Sequence, residues 1–377
     1  MRTVDAAGLK IGDEYPPRIM GVLNVSEESP YDPSVFADPG EAAEYVDEQL
    51  IGEGADIVDV GLESANKRFE VLSADEELDR LGTAVETLES TSGDAVWSIE
   101  TRYHEVADAA LDAGFDMVND ICGFADPEMP NVCAEYDVAV SKMASPPDLS
   151  RPGAIEDVDD IYDALERNGF TDKTIIDPAF GGWSESKTIE DDRETFDRLR
   201  EFRGYGRPIL VSINRKNFLR EIAGRDTEGA LPVSLAATSM AVERGAHIVR
   251  THDVAETRDA ALIGHEFKRD RIQTDGVAEL DVTTDQELAR HLARISADSD
   301  DPAVLTHAIE ISPSVTNRSE VAEVAETAGL SVFRGDGLVL AGTVRDFESL
   351  SASVRGESGP AMSAIERLCE DLDVSDT

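Results

Sequence analysis

The sequence predicts an α/β protein, a (β/α)8 TIM barrel followed by a small C-terminal α+β domain. Between residues 18 and 264, short apolar runs of strand type alternate with amphipathic segments of helix type, and this unit occurs eight times. Uninterrupted apolar runs are typical of parallel strands that are buried on both faces of a sheet. Eight units in about 250 residues favour a closed barrel, while an open sheet of nine strands is the alternative that the pattern leaves.

Each predicted unit has a strand that ends in polar residues and a helix that follows it. The predicted strands cover residues 19–23, 55–60, 95–99, 116–118, 138–140, 174–176, 208–211 and 247–249. The predicted helices lie near residues 41–52, 74–89, 104–113, 126–136, 156–168, 189–203, 228–244 and 254–264. Because the ends of the strands meet at one face of a barrel, the polar residues after them should converge there.

The chain changes character after the last of these helices. Residues 269–279 are charged and contain glycine, which predicts a linker between a barrel domain at 1–268 and a second domain at 280–377. In the second domain we predict helices at 285–295, 317–328, 344–353 and 360–371, a strand at 304–309 and a β-hairpin across 330–341. His291 and His307 are isolated there, so we expect them to have surface or packing roles.

An extreme acidic charge restricts the setting and the partners of this protein. Seventy-nine acidic residues against 34 basic ones give a formal net charge of −45. Self-repulsion of this size destabilises a compact chain at low ionic strength, but the Debye length falls to about 3 Å in molar salt. The dispersed acids therefore predict a halophilic protein of a high-salt cytoplasm, and they argue against nucleic acid as a partner.

Other features of the composition exclude further classes of protein. No run approaches about 18 consecutive apolar residues, so no membrane span and no membrane partner are expected. The N-terminus lacks the pattern of a signal peptide. The three cysteines, Cys122, Cys133 and Cys369, give neither a disulfide framework nor a metal-binding spacing. A cytoplasmic location is therefore expected.

Hydrogen-bond acceptors lie at the ends of four of the predicted strands: Asp59, Glu100, Asn119 and Asp177. Taken singly, such residues are better explained by structural roles such as capping or turn formation. Together they suit a flat heterocycle with several N–H donors, because a carboxylate can accept two parallel N–H bonds from a 2-amino-pyrimidinone edge. This set predicts a pterin-like or purine-like ligand in the barrel mouth.

A second set of residues at strand ends suits an anion. Arg250 and His252 are two residues apart, so on an extended strand they project the same way. Arg offers a fork of donors to an anion and His can add another donor. Asn24 and Lys216 follow other strands nearby. The two sets together predict a small-molecule substrate with a heterocycle at one end and a phosphate or diphosphate, with bound Mg²⁺, at the other.

Six motifs in order resemble the dihydropteroate synthase family, the pterin-binding TIM-barrel group. They are residues 19–26 (IMGVLNVS), 54–64 (GADIVDVGLES), 118–121 (VNDI), 176–178 (IDP), 214–216 (NRK) and 245–253 (GAHIVRTHD). The resemblance covers residues 18–264 and, with the acidic composition, is that of a divergent haloarchaeal-type member. It implies the barrel fold and an enzyme of folate biosynthesis.

The resemblance implies a transferase that joins 6-hydroxymethyl-7,8-dihydropterin diphosphate to p-aminobenzoate and releases diphosphate. By position, the residues that would hold the pterin are Asp59, Glu100, Asn119, Asp177 and Lys216. Those that would hold the diphosphate are Asn24, Arg250 and His252, with Asn24 also a ligand of Mg²⁺. Lys216, Arg250 and His252 would have the catalytic roles. The family also implies a homodimer, by analogy alone.

Several positions depart from the family pattern. Glu100 stands where the family has an aspartate, and Lys142 where it has a histidine. The loops at 26–32, 64–69 and 181–184, which in the family lie towards the arylamine, are changed most. Three alternatives therefore stay open: a related synthase with a different arylamine, a methyltetrahydrofolate-type methyltransferase, and a catalytically silent pterin-binding paralogue. Lys216, Arg250 and His252 argue against the methyltransferase, because a methyl donor has no diphosphate to bind.

The acidic composition generates a prediction about salt. The unfolding temperature should fall steadily as KCl is lowered from about 3 M to about 0.1 M, because screening of the carboxylates is lost. Circular dichroism melting at a series of KCl concentrations would measure this. A melting temperature that stays constant across the series would contradict the halophilic interpretation.

Overall fold

A computed structural model of the chain describes residues 1–25, 34–63, 71–149, 153, 155–181, 187–269, 271, 273–274, 277–297, 305–311 and 318–354. The chain divides into two compact units, Met1–Glu279 and Leu280–Thr377. No helix in these described ranges is long and apolar enough to cross a membrane.

The first unit begins with a short antiparallel hairpin that the sequence analysis did not predict. Its strands are β1 (Val4–Ala6) and β2 (Leu9–Ile11). Three-residue strands give too little periodicity to be recognised in a sequence. Val4, Ala6 and Ile11 are buried, and they belong to the apolar cluster at one end of the sheet described next.

Eight parallel strands form the sheet of the first unit, and the predicted (β/α)8 barrel is confirmed. The strands are β3 (Arg18–Asn24), β4 (Ile57–Gly61), β5 (Val96–Thr101), β6 (Met117–Asp120), β7 (Ala139–Met143), β8 (Thr174–Asp177), β9 (Leu210–Val211) and β10 (Ile248–Thr251). Their order around the sheet is β8-β7-β6-β5-β4-β3-β10-β9. A parallel bridge between Ile176 and Ile209 joins β8 to the chain just before β9 and closes the ring.

Nine helices of the first unit lie within its described residues: α1 (Pro39–Tyr45), α2 (Ala74–Ser90), α3 (His104–Asp112), α4 (Met129–Glu135), α5 (Val158–Glu166), α6 (Ile189–Asp197), α7 (Asn217–Ala223), α8 (Leu231–Glu243) and α9 (Val254–Glu266). A π-helical segment (Val46–Ile51) extends α1, and short 3-10 segments (Leu199–Tyr205, Glu228–Ala230) follow α6 and precede α8. The sequence analysis missed α7, whose two turns are too short for a clear helical period.

Polar side chains start several of these helices. Asp38 and Asp157 accept hydrogen bonds from the first free backbone N–H groups of α1 and α5. Ser73 and Thr188 form reciprocal capping boxes with Glu76 and Asp191 at the starts of α2 and α6. These caps satisfy N–H groups that have no partner within the helix.

The barrel interior is apolar at its N-terminal end. One inward residue from each strand contributes to a single cluster, together with the β1–β2 hairpin: Met20, Ile57, Val96, Met117, Ala139, Ile175, Leu210 and Ile248. A separate, larger cluster lies between the outer face of the sheet and the helices. The interior is thus filled at one end, and a ligand has room only towards the C-terminal ends of the strands.

The segment predicted as a linker contains a second short ladder. β11 (Gln273–Thr274) and β12 (Val277–Ala278) pair in an antiparallel manner. Both strands belong to the first compact unit, Met1–Glu279. The Asp-Gly pair at positions 275 and 276 is as typical of a hairpin as of a linker, so composition alone does not separate the two.

The second unit is an α+β arrangement. Its antiparallel sheet has the order β13-β15-β14, and the elements are α10 (Asp285–Arg294), β13 (His307–Ile311), α11 (Arg318–Thr327), β14 (Ser331–Arg334), β15 (Leu338–Gly342) and α12 (Val344–Val354). The predicted hairpin is confirmed by the pairing of β14 with β15. Leu340, Phe347 and Leu350 are in its core. The helix predicted at 360–371 falls outside the described residues.

Candidate active site

The inward positions of the barrel change from apolar to polar two residues beyond the apolar cluster. Side chains alternate along a strand, so the residue two places on faces the same interior. At this level the interior residues include Asp59, Ser98, Asn119, Ser141, Asp177 and Arg250. We call these six residues the polar ring. The predicted acceptors Asp59, Asn119 and Asp177 and the predicted anion ligand Arg250 therefore lie at one level of one barrel.

Asp59 is the hydrogen-bonding centre of the polar ring. Its carboxylate is fully buried and accepts from Ser98 Oγ at 2.7 Å and from Asn119 Nδ2 at 3.0 Å. Arg250 Nε donates to the same carboxylate at 2.7 Å. The carboxylate that was predicted to bind a heterocycle is thus largely occupied by donors from the protein. It orients Asn119 and Arg250.

Arg250 also joins Asp59 to the next strand. Its terminal nitrogen donates to Glu100 Oε2 at 2.5 Å, so the guanidinium lies between two carboxylates. Burial acts to lower the pKa of Arg250, but the charges of Glu100 and Asp59 raise it overall. Arg250 is therefore a permanent cation in the barrel mouth. The extra methylene of Glu100, relative to aspartate, extends its carboxylate towards the guanidinium.

Asp177 and Lys216 are two further titratable groups of the mouth, and their charges act on each other. Burial raises the pKa of Asp177 to about 6, although the backbone N–H of Ala179 donates to its Oδ1 at 2.8 Å. Burial lowers the pKa of Lys216 to about 8, and the charge of Asp177 opposes this. A Cβ at Gly181 would lie 2.8 Å from Lys216 Cδ, so a residue without a side chain is needed where Lys216 enters the site.

Asn24 and His252 are linked through a serine that the sequence analysis did not single out. Asn24 Nδ2 donates to Ser34 Oγ at 2.9 Å, and Ser34 Oγ lies 3.4 Å from His252 Nδ1. Burial, aided by the charge of Arg250, lowers the pKa of His252 to about 3. His252 is thus neutral at ordinary pH and can serve an anion as an N–H donor but not as a cation.

The oxygen of Asn24 faces Glu100 across a glycine. A Cβ built at Gly61 would be 3.2 Å from Asn24 Oδ1 and 3.6 Å from Glu100 Oε1. Two oxygen donors thus approach the same point of the mouth, and oxygen donors are the ligands that Mg²⁺ prefers. The donor set is chemically suited to Mg²⁺.

Lys142 and Arg215 have their side chains bound to other groups of the protein. Lys142 donates to the carbonyl oxygens of Leu165 and Gly169 at 2.7 and 2.8 Å, and so caps the C-terminus of α5 between the barrel and its helices. Arg215 donates to both carboxylate oxygens of Asp253 at 2.8 and 2.9 Å. Lys216, in contrast, has a charge that acts on Asp177.

The altered loops at 26–32 and 64–69, and positions 182–184 of the third, lie outside the described residues, but the ends of the second loop are described. Glu63 Oε1 accepts from the backbone N–H of Leu72 at 3.1 Å. Arg102, itself buried, contacts Glu63 Oε2 at 2.7 Å and donates to the carbonyl of Leu72 at 2.9 Å. This ion pair therefore ties the two ends of the loop together beside Glu100.

The sequence analysis missed Ser34, Ser98 and Ser141 as members of this region. Ser98 and Ser141 could have been found by counting inward positions back from the strand ends, because Ser98 is two residues before Glu100. No local signal identifies Ser34, which reaches Asn24 from the loop before α1.

Comparison with known proteins agrees with this geometry. The family model described as "Pterin binding enzyme" matches residues 20–252. The chain belongs to this family of pterin binding enzymes. Within the family, it is similar to proteins that are named dihydropteroate synthases.

Two relatives illustrate the similarity. A probable bifunctional folylpolyglutamate synthase/dihydropteroate synthase of Haloferax volcanii is 36% identical over 261 residues, which is 65% of this chain and 30% of the relative. The dihydropteroate synthase of Bacillus subtilis is 31% identical over 244 residues, 63% of this chain and 84% of the relative. The chain thus spans only about 30% of the length of the haloarchaeal relative.

Solved structures are similar over the same region. A Coxiella burnetii dihydropteroate synthase in complex with pteroic acid superposes with a TM-score of 0.60 and 28% identity, covering 71% of this chain and 99% of that one. The Thermus thermophilus enzyme in complex with 4-aminobenzoate gives a TM-score of 0.58 and 28% identity, covering 71% and 100%.

The pKa values in the mouth predict how pterin binding should depend on pH. Asp177 can accept N–H donors at both oxygens, with the strength that a negative charge adds, only as a carboxylate, which is lost below about pH 6. Lys216 keeps its positive charge only below about pH 8. Affinity for 6-hydroxymethylpterin should therefore be highest between these values and fall by up to about tenfold per pH unit outside them.

Isothermal titration calorimetry from pH 5 to pH 9 would measure this profile. The Asp177→Asn variant should lose the decline on the acid side, whereas an Asp172→Asn control, which changes an exposed carboxylate, should keep it. An unchanged acid decline in Asp177→Asn would refute the assignment to Asp177.

Proposed function

We propose that this chain is a dihydropteroate synthase. It would join 6-hydroxymethyl-7,8-dihydropterin diphosphate to p-aminobenzoate and release diphosphate, as a transferase of folate biosynthesis. The observation that carries the proposal is the position of Arg250. Its side chain joins Asp59 and Glu100 in the mouth of the barrel that matches the pterin binding family. The heterocycle residues and the anion residues are thereby parts of one site.

The pterin is proposed to bind towards the polar ring. The residues assigned to it are Asp59, Glu100, Asn119, Asp177 and Lys216. Asp177 and the Asn119 oxygen would accept N–H groups of the heterocycle, and Lys216 would donate to it. Asp59 would act as a positioning residue, because it already accepts from Asn119 and Arg250.

The diphosphate is proposed to bind at Asn24, Arg250 and His252. Arg250 supplies a permanent positive charge and His252 a neutral N–H donor. Asn24 would hold Mg²⁺ through Oδ1, since its amide nitrogen donates to Ser34. When bound, Mg²⁺ would neutralise charge on the diphosphate leaving group.

The proposed reaction is dissociative. The bond between the exocyclic carbon of the pterin and the diphosphate oxygen breaks, and both electrons leave with diphosphate. The amine nitrogen of the second substrate then bonds to that carbon and loses a proton. Arg250 and His252 stabilise the departing negative charge, which is electrostatic catalysis. Asp177 and Lys216 hold the ring in place, and no nucleophilic side chain is required.

A related synthase with a different arylamine is the second candidate. It is favoured by the sequence changes in the loops at 26–32 and 64–69 and by the Glu63–Arg102 ion pair, which ties the ends of the latter. A permanent arginine cation in the mouth disfavours the methyltransferase alternative, and a catalytically silent paralogue would bind pterin without turnover.

We also propose the organisation and setting of the protein. Residues 1–268 form the catalytic domain, 269–279 connect it, and 280–377 form a separate domain outside the family match. The net charge of −45 supports a high-salt cytoplasm as its setting. The partners are the two small-molecule substrates and neither nucleic acid nor membrane, because the surface is acidic.

A homodimer is proposed through α8 and α9. These helices pack so closely that a Cβ at Gly264 would be 2.3 Å from the carbonyl oxygen of Ser239. Next to this contact Met240, Ile263 and Phe267 are 47%, 55% and 77% exposed. Neighbouring exposed apolar side chains of this kind mark an interaction surface.

Sedimentation equilibrium should give a dimer, and Ile263→Glu should give a monomer. A monomeric parent protein would contradict this proposal.

Turnover is the direct test of the proposed function. In molar KCl with Mg²⁺, the chain should release diphosphate and form pteroate from the pterin diphosphate and p-aminobenzoate. Arg250→Ala should reduce kcat by at least about tenfold, because loss of one such donor commonly costs 10²- to 10³-fold. Diphosphate release and chromatography of the product would be measured together.

Two controls make the result specific. Arg250→Lys keeps the buried positive charge but loses the forked N–H donors of the guanidinium group. It therefore tests catalysis in a variant in which a cation still neutralises Asp59 and Glu100. Arg193→Ala removes an exposed arginine of α6 and should leave the rate unchanged. If the protein binds pterin diphosphate but does not turn it over with p-aminobenzoate, the proposal of a dihydropteroate synthase is wrong. The synthase with a different arylamine and the catalytically silent paralogue would then remain.

A further inference from the structure

Ser141 of the polar ring has a hydrogen-bonding capacity that the described residues do not use. The side chain is fully buried, and Oγ has no hydrogen-bond partner among the residues that the structure describes. The neighbouring residues of the strand show which way the side chain of Ser141 faces. Ala139 belongs to the interior apolar cluster, whereas Val140 belongs to the outer one. Ser141 therefore faces the barrel interior by the alternation of the strand.

The register of the sheet places Ser141 among the residues assigned to the pterin. It pairs with Asn119 on β6 and with Ile175 on β8. Asp177 follows Ile175 by two residues and so faces the same interior. The hydroxyl of Ser141 thus lies between the strands that carry Asn119 and Asp177.

The hydrogen-bond donors of the polar ring are mostly committed to carboxylates. Ser98 and Asn119 donate to Asp59, and Arg250 donates to Asp59 and Glu100. A 2-amino-4-oxo heterocycle carries acceptor atoms, its oxo group and ring nitrogens, as well as N–H donors. Ser141, whose Oγ has no partner among the described residues, and Lys216 are therefore available as donors for those acceptors.

We propose that Ser141 is a specificity-determining residue whose hydroxyl donates a hydrogen bond to an acceptor atom of the bound pterin. This inference rests on the proposed function, because it takes a pterin as the ligand. A buried hydroxyl without a partner destabilises the protein that contains it. A ligand acceptor that pairs with the hydroxyl recovers this loss on binding, and a ligand without such an atom does not.

The substitution Ser141→Ala separates this role from a structural one. Alanine removes a buried hydroxyl that has no partner in the protein, so the melting temperature without pterin should stay the same or rise. The dissociation constant for 6-hydroxymethylpterin should increase by about 3- to 10-fold, the value of one neutral hydrogen bond. Calorimetric titration and thermal melting of the same preparations in molar KCl give both readouts.

A matched control is available in Ser239. Its Oγ donates to the carbonyl oxygen of Ala260 at 2.7 Å, between α8 and α9 and away from the polar ring. Ser239→Ala should therefore lower the melting temperature and leave the dissociation constant unchanged. The two variants are expected to show opposite patterns, since one hydroxyl is used by the protein and the other by the ligand.

The outcomes distinguish this inference from the function on which it rests. If the parent protein binds 6-hydroxymethylpterin and Ser141→Ala binds it equally well, the role of Ser141 is refuted while the proposed function stands. A lower melting temperature for Ser141→Ala with unchanged affinity would likewise show that the hydroxyl serves the protein. If the parent protein binds no pterin, both the proposed function and this inference fail.

Discussion

The ion pairs of Arg250 are the interaction on which the site depends. Two carboxylates on adjacent strands, Asp59 and Glu100, lie inside a barrel mouth where neither is well solvated. Burial raises the pKa of Glu100, and the positive charge of Arg250 opposes that rise. Two such carboxylates side by side would favour protonation of one of them without a cation between them. Arg250 therefore permits an acceptor-rich site in the barrel, and the same cation would serve the diphosphate of the proposed reaction.

The depth of this site is set by the apolar end of the barrel. Inward residues of all eight strands pack with the β1–β2 hairpin in one cluster, so polar side chains begin only at the next inward position. Glycines then make room where long side chains enter. A Cβ at Gly61 would crowd Asn24, and one at Gly181 would crowd Lys216. The apolar packing and the two glycines thus hold the charged groups in position in the protein without a ligand.

Two of the departures from the family pattern are single residues within the described part of the barrel. Glu100 replaces a shorter carboxylate and contacts Arg250, and Lys142 replaces a histidine but caps α5 from outside the mouth. Arg102 and Glu63 join the ends of the loop at 64–70. Glu100 thus keeps a negative charge beside Arg250 in the mouth.

The sequence by itself determined the barrel and the strand ends, because the period of apolar residues and the residues after each run are local features. It therefore identified Asp59, Asn119, Asp177 and Arg250, and it missed β1, β2 and α7, whose patterns are too short to recognise. Only the tertiary structure decided which of these groups meet. The Arg250–Asp59 bond joins residues 191 positions apart, and register decides that Ser98 and Ser141 face inward with them. It likewise decides that Lys142 binds the carbonyl oxygens at the end of α5 and that Arg215 pairs with Asp253, because these partners are distant in the sequence.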